Sequence, residues 1–207
     1  VGGCIGRGNR PPQVKARADG ASFKRAIAPA GCTHARVGIL RLCFHARASE
    51  ESLRMQARAT RDCGGRLVAT RSRQGNGIKA RIENLLQWLK TANTDIVCLQ
   101  EIKSVDEDFP RLEIESLGYN IETHGQKGFN GVAILSKLKF DEVIRGLPGE
   151  PDDVQSRYIE GVFSVGSRVI RVASIYLPNG NPLGTEKFPY KIRWMDRLIA
   201  HAADRLS

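Results

Sequence analysis

The sequence predicts an α/β protein in which helices cover sheets of short strands. Two stretches with helical spacing of apolar residues, at about 79–90 and 189–206, enclose a region of short apolar runs typical of buried strands. The links between these elements are short, which favours helices layered on sheets. With 207 residues, the chain can hold one ordinary domain with an appendage.

The first half of this region alternates helix and strand signals. The helix beginning at Lys79 is amphipathic, and its apolar residues are Ile82, Leu85, Leu86 and Leu89. The residues from Asp95 to Leu99 form a β-rich apolar run, which predicts a buried strand. A second helix is predicted from about Pro110 to Leu117, and Gly118 ends it.

The second half contains three further predicted strands and a long helix. A buried strand is predicted from Gly131 to Leu135. The segments 157–165 and 169–176 alternate like paired strands around the turn at Gly166-Ser167. The final helix presents one apolar face, formed by Ile192, Met195, Leu198 and Ile199.

The segment 1–73 differs from the remainder in composition. Residues 1–80 hold 16 of the 32 basic residues but only 4 of the 22 acidic ones, so the excess positive charge of the whole chain, +10, lies there. The segment has no sustained period and few apolar clusters, so we expect it to be disordered. It is interpreted as an organelle-targeting leader, a basic arm for phosphates, or non-native sequence joined upstream of a domain at 74–207. We favour the last of these.

Cysteine content and hydropathy bear on the compartment. The chain has 5 cysteines, an odd number, and no hydrophobic signal sequence, so a disulfide framework is not expected. Cys98 lies in an apolar run and is expected to be a buried thiol. No apolar run approaches the roughly 18 residues needed to cross a bilayer. A cytoplasmic protein without a membrane partner is the resulting prediction.

Three motifs contain side chains suited to phosphate chemistry. Glu101 follows the predicted strand 95–99, where a carboxylate can bind a hard cation such as Mg²⁺, or can simply be a surface acid. The glycine-rich stretch from His124 to Gly131 places donors on Lys127 and Asn130, although an ordinary hairpin loop has the same composition. Tyr176 ends a strand, as a phosphate contact or as a half-buried core residue.

Together, and in this order, the motifs resemble exonuclease III. The string 76–81 (Asn-Gly-Ile-Lys-Ala-Arg) is followed by Leu-Gln-Glu at 99–101, Gly-Tyr-Asn at 118–120, the loop 124–131 and Tyr-Leu-Pro at 176–178. This family belongs to the endonuclease/exonuclease/phosphatase superfamily. The likeness covers residues from about Asn76 to Ser207.

The resemblance implies a fold, a metal and a substrate. The fold would be a four-layer α/β sandwich of the DNase I-like type, in which Glu101 holds the catalytic Mg²⁺, with Mn²⁺ as the alternative, and Tyr176 lies beside the scissile phosphate. The substrate would be duplex DNA with abasic sites or 3′ ends, and the protein a monomer. From charge and position we add Lys127 and Arg157 as candidate DNA contacts. Asn76, which matches the second Asn of the family's opening motif, and Asn130 of the glycine-rich loop are the other candidates.

The sequence also departs from the family pattern. Gln74 stands where the family has its first Asn, and 71–75 interrupts the expected opening strand. The later Gly-Asp-x-Asn and Ser-Asp-His motifs lie beyond Ser207 in the family, so we expect the fold of this chain to be incomplete and its activity weak or absent. The alternatives are another phosphodiesterase or phosphatase of the same superfamily, and a non-catalytic basic remnant that binds nucleic acid.

Overall fold

The structure is a computed structural model that describes residues 39–44, 58–61, 67–74 and 77–206. All of these residues fall in one compact unit, Arg36–Ser207. The described strands are β1 Ile39–Phe44, β2 Arg58–Arg61, β3 Leu67–Gln74, β4 Ile96–Gln100, β5 Asn120–His124, β6 Val132–Ser136, β7 Glu142–Arg145, β8 Tyr158–Val165 and β9 Arg168–Ile175. The helices are α1 Ile82–Ala92, which follows a 3-10 turn at Lys79–Arg81, α2 Arg111–Glu115 and α3 Lys187–Leu206.

The strands form two mixed sheets. One sheet has the order β1-β9-β8-β7 and the other the order β2-β3-β4-β6-β5. In the five-stranded sheet, β4 pairs in parallel with β3 and antiparallel with β6. All residues of β4 and β6 are buried, as expected of strands that are covered on both faces.

The two sheets pack face to face, and a helix covers the outer face of each. Between the sheets, Ile96 and Ile134 of one meet Ile159 and Phe163 of the other in a common apolar core. On the outer faces, α1 packs against β4 and α3 packs against β9. The outer contacts involve Leu85 and Leu89 with Val97 and Leu99, and Trp194 and Leu198 with Ala173 and Ile175. The predicted four-layer α/β sandwich is therefore confirmed.

The apolar period located most of the elements correctly. The predicted helices at 79–90, 110–117 and 189–206 correspond to α1, α2 and α3, and the predicted strands correspond to β4, β6, β8 and β9. Strands β5 and β7 were not predicted. Each is an edge strand of its sheet, and β7 has no fully buried residue, so neither has the apolar run by which a central strand is recognised.

Three strands lie within, or cross the end of, the segment for which the sequence predicts disorder. Strand β1 pairs in parallel with β9, and β2 pairs with β3. Strand β3 continues from Leu67 to Gln74 in register with β4, so the interruption expected at 71–75 does not break the strand before Gln74. The expected boundary between 73 and 74 falls inside β3. A leader at 1–73 and a domain at 74–207 remain predictions.

None of the helices among the described residues is both long enough and apolar enough to cross a membrane.

Candidate active site

Glu101 lies at the end of β4 in a left-handed backbone conformation. Its φ is +54°, and the residue is only 5% exposed. A non-glycine residue with positive φ is uncommon and costs on the order of 1 kcal/mol or more. The surrounding backbone stabilises it, because Gly77 N donates to Glu101 O at 3.0 Å and Ile102 N donates to Gly131 O at 3.2 Å. The carboxylate is therefore held in a defined place at the edge of the sheet.

Tyr176 follows β9 in the other sheet, and its side chain contacts this carboxylate. Its hydroxyl donates a hydrogen bond to Glu101 Oε1, across 75 residues of sequence. The ammonium of Lys103 lies 3.7 Å from the other oxygen, Glu101 Oε2. The side chain of Lys103 is 34% exposed, whereas that of Glu101 is 6% exposed, so the carboxylate is shielded from solvent and the ammonium is partly exposed. The pair predicted as metal ligand and catalytic residue thus lies in direct contact.

Arg157 stacks on the tyrosine ring. Its Cζ atom is 5.1 Å from the centre of the Tyr176 ring, and Nη1 donates to Tyr176 O at 3.3 Å. Burial lowers the pKa of Arg157, while the neighbouring Tyr190 and Tyr176 oppose this shift. Arginine stays protonated in proteins, so a partly desolvated cation lies over the ring whose hydroxyl contacts Glu101. Such a stack contributes roughly 0.5–2 kcal/mol.

Asn130 lies under the site rather than on its surface. It is 5% exposed, with a φ of +52°. Its side-chain amide donates to Gln126 Oε1 at 3.0 Å and to Gln155 Oε1 at 3.2 Å. The second of these oxygens also accepts a hydrogen bond from Arg157 Nε at 2.8 Å. The structure therefore connects Asn130 to Arg157, and its predicted role as a DNA contact remains a prediction.

The glycine-rich loop is anchored at its base and exposed at its tip. Gly125 N donates to Asp106 Oδ1 at 2.7 Å, and Ser156 Oγ donates to Gly125 O at 2.8 Å. Beyond this base, Lys127 is exposed and Phe129 is 57% exposed. The Lys127 ammonium and the Phe129 ring are thus exposed to solvent at the tip of this loop. Asn76, the remaining predicted site residue, lies outside the described residues.

The side chains at Glu101 fit a hard divalent cation. Within the part of the chain that the structure describes, no three His, Cys, Asp or Glu side chains converge. Magnesium commonly uses one or two carboxylates, with water and substrate oxygens completing its shell. A single buried carboxylate oriented by a tyrosine hydroxyl matches that requirement, and Glu101 would be the ligand.

Sequence reasoning missed three contributors to this site. Lys103 could have been noticed as a cation two residues after the strand-end acid. Gln126 lies in a motif that was singled out, but its role depends on Ser156 N, which donates to its Oε1 at 3.1 Å. Gln155 carries no local signal, because only the fold brings it to Asn130.

The four-layer α/β sandwich is of the DNase I-like type. A sequence model described as the endonuclease/exonuclease/phosphatase family matches residues 63–207. The chain belongs to this family, and within it to the exonuclease III and AP endonuclease group.

Individual relatives are consistent with this assignment. Exodeoxyribonuclease III of Haemophilus influenzae is 38% identical over 117 residues, a match that covers 56% of this chain and 44% of the relative. A 3′ phosphatase from Neisseria, solved with its product DNA hairpin, superposes with a TM-score of 0.61 at 33% identity, over 65% of this chain and 51% of that one.

An AP endonuclease from Archaeoglobus fulgidus superposes with a TM-score of 0.57 at 35% identity, over 62% of this chain and 48% of that one. The chain therefore matches about half the length of each of these relatives.

Proposed function

We propose that this chain acts in the hydrolysis of DNA phosphodiester bonds and requires a divalent cation, with Mg²⁺ as the first choice and Mn²⁺ as the alternative. The observation that carries the proposal is the contact between the Tyr176 hydroxyl and the buried Glu101 carboxylate, with Lys103 beside it. The exonuclease and AP endonuclease names of its relatives support duplex DNA as the substrate. Abasic sites and 3′ ends are the proposed points of cleavage.

The residues of this chain have separate tasks in the proposed reaction. Glu101 would hold the cation, which when bound polarises the phosphate and lowers the pKa of a water. Tyr176 orients the carboxylate through its hydroxyl. Lys103 and Arg157 supply positive charge where negative charge develops on the phosphate oxygens. Lys127, exposed at the loop tip, binds the DNA backbone away from the reacting atoms.

The test uses the purified chain with end-labelled duplexes that contain an abasic site, a recessed 3′ end or a 3′ phosphate. The sequence predicts weak or absent activity, and the contact between Glu101 and Tyr176 favours weak activity over none, so we expect slow formation of Mg²⁺-dependent products that EDTA abolishes. E101Q removes the charged ligand and should lower the rate by more than roughly 100-fold, the upper range for residues that only support a ligand. The control is E107Q, because Glu107 is an exposed acid on the same loop.

Three outcomes would contradict the proposal: no metal-dependent product from any duplex, products that persist in EDTA, or equal rates for the two variants. Poly(A) and an inositol phosphate are included as competing substrates. Faster turnover of either would favour a different branch of the family. Salt-sensitive binding that survives E101Q, without cleavage, would instead favour a non-catalytic nucleic-acid binder.

A further inference from the structure

The amide of Asn130 lies between two glutamines that belong to different segments. Gln126 is in the glycine-rich loop, and Gln155 precedes β8. We propose that Asn130 is a positioning residue, which holds Gln155 so that Gln155 holds the Arg157 guanidinium over Tyr176. This inference rests on the proposed function, because it assigns a task within the same site. It gives Asn130 a role other than direct contact with DNA.

The direction of every hydrogen bond in this network follows from two obligate donors. Arg157 Nε can only donate, so the atom of Gln155 that faces it at 2.8 Å is the carbonyl oxygen. Ser156 N also can only donate, which requires the Gln126 oxygen to face it at 3.1 Å. Both glutamines therefore present oxygens to Asn130, and the amide nitrogen of Asn130, with its two hydrogens, satisfies both.

An arginine needs such support if it is to act at one place. Its long side chain loses about 2 kcal/mol of rotamer freedom when it is fixed. Here Nε is held by Gln155 and Nη1 by the carbonyl of Tyr176, which fixes the plane of the guanidinium above the ring. Without Asn130, the Gln155 carbonyl would lose one of its two donors and become free to rotate away from Arg157.

The backbone at position 130 makes a test of the side chain possible. With a φ of +52°, glycine would be the residue of least strain there. The main chain contributes independently, since Lys103 N donates to Asn130 O at 3.1 Å. Asn130→Gly should keep this backbone contact and remove only the amide, so it isolates the proposed task.

A matched control is available at Asn93. It is also left-handed, with a φ of +42°, and its side chain accepts a hydrogen bond from Lys137 Nζ at 2.6 Å on the exposed surface. Asn93→Gly therefore makes the same substitution at a residue with the same left-handed backbone conformation. It also removes one side-chain hydrogen bond. It lies at the C-terminal end of α1, outside the proposed site.

The first measurement needs no DNA. Solvent exchange of the Arg157 Nε proton is followed by NMR, with the signal assigned by its loss in R157Q. We expect roughly three- to tenfold faster exchange in N130G, the range set by one neutral hydrogen bond, and no change in N93G. Because Asn130 is buried, Gln155→Leu serves as a second variant. It removes the acceptor from a half-buried position and should also accelerate exchange.

The second measurement is the salt dependence of binding to a duplex with an uncleavable abasic analogue. Affinity falls as salt rises, and removing one phosphate contact makes the plot of log affinity against log salt shallower by about 0.9. N130G and R157Q should each make the plot shallower by that amount. The double variant should make it no shallower than either single variant does.

Unchanged exchange in both N130G and Q155L would overturn the positioning role, as would additive slopes in the double variant. If the wild-type chain binds no DNA, the proposed function fails. The exchange measurement still decides whether Asn130 positions Arg157.

Discussion

Replacing Glu160 should destabilise the fold more than replacing any exposed acid, because its carboxylate lies in the layer between β8 and α3. The side chain is 0% exposed and accepts hydrogen bonds from Tyr158 Oη at 2.5 Å and Arg171 Nη1 at 2.9 Å. His201 Nε2 lies 3.2 Å from Glu160 Oε2. Burial disfavours the charged carboxylate, but the bonds from Tyr158, His201 and Arg171 more than offset it and lower the pKa of Glu160.

The expected size of the effect follows from the exposure of the partners. Removing one member of a buried ion pair costs about 3–5 kcal/mol. The Arg171 side chain is 23% exposed and can recover some hydration, so we expect Glu160→Gln to lower the free energy of unfolding by about 3 kcal/mol. Glu142→Gln is the control, because Glu142 is 57% exposed and lies 4.0 Å from the same Arg171 Nη1. It should cost less than about 1 kcal/mol.

Urea unfolding at neutral pH, followed by far-UV circular dichroism, measures both variants. The sign of the pH dependence gives a second check. The folded pKa of Glu160 lies below its ordinary value of 4.5, so its contribution is fully present above that pH. It is lost as the pH falls through the folded pKa. The wild type should therefore lose more stability on acidification than E160Q. Equal free energies for E160Q and E142Q, or identical acid profiles for E160Q and wild type, would refute the reasoning.

Two further predictions concern packing and backbone. Gly131→Ala should lower the free energy of unfolding by about 1–3 kcal/mol, because φ is +82° and the added Cβ would lie 2.6 Å from Ile102 Cγ1. Gly128→Ala, with a φ of +79° and open space around it, should cost about 1 kcal/mol, and equal urea midpoints for the two would contradict the steric argument. Trp194→Ala removes a side chain that is 1% exposed between α3 and its sheet, and should cost about 3–5 kcal/mol. A loss below 1 kcal/mol in the same assay would mean that α3 does not depend on this contact.

The sequence determined the elements whose signals are local. Helix α1 and strands β4 and β6 were predicted because apolar period and run length depend only on neighbouring residues. Strands β5 and β7 were missed because edge strands carry mixed side chains, and their identity comes from the partner strand. The ordered motifs also identified the family from the amino acids alone, and they predicted Glu101 and Tyr176 as site residues.

The assembly of the site depends on contacts between segments that are distant in sequence. Glu101 and Tyr176 are 75 residues apart and end strands of different sheets, and their contact exists because the two sheets pack face to face. The same packing brings the buried Asn130 to Gln155, whose side-chain oxygen also accepts a hydrogen bond from Arg157. Sequence motifs specify which groups are present. Their distances and burial depend on contacts between distant segments, which no local pattern contains.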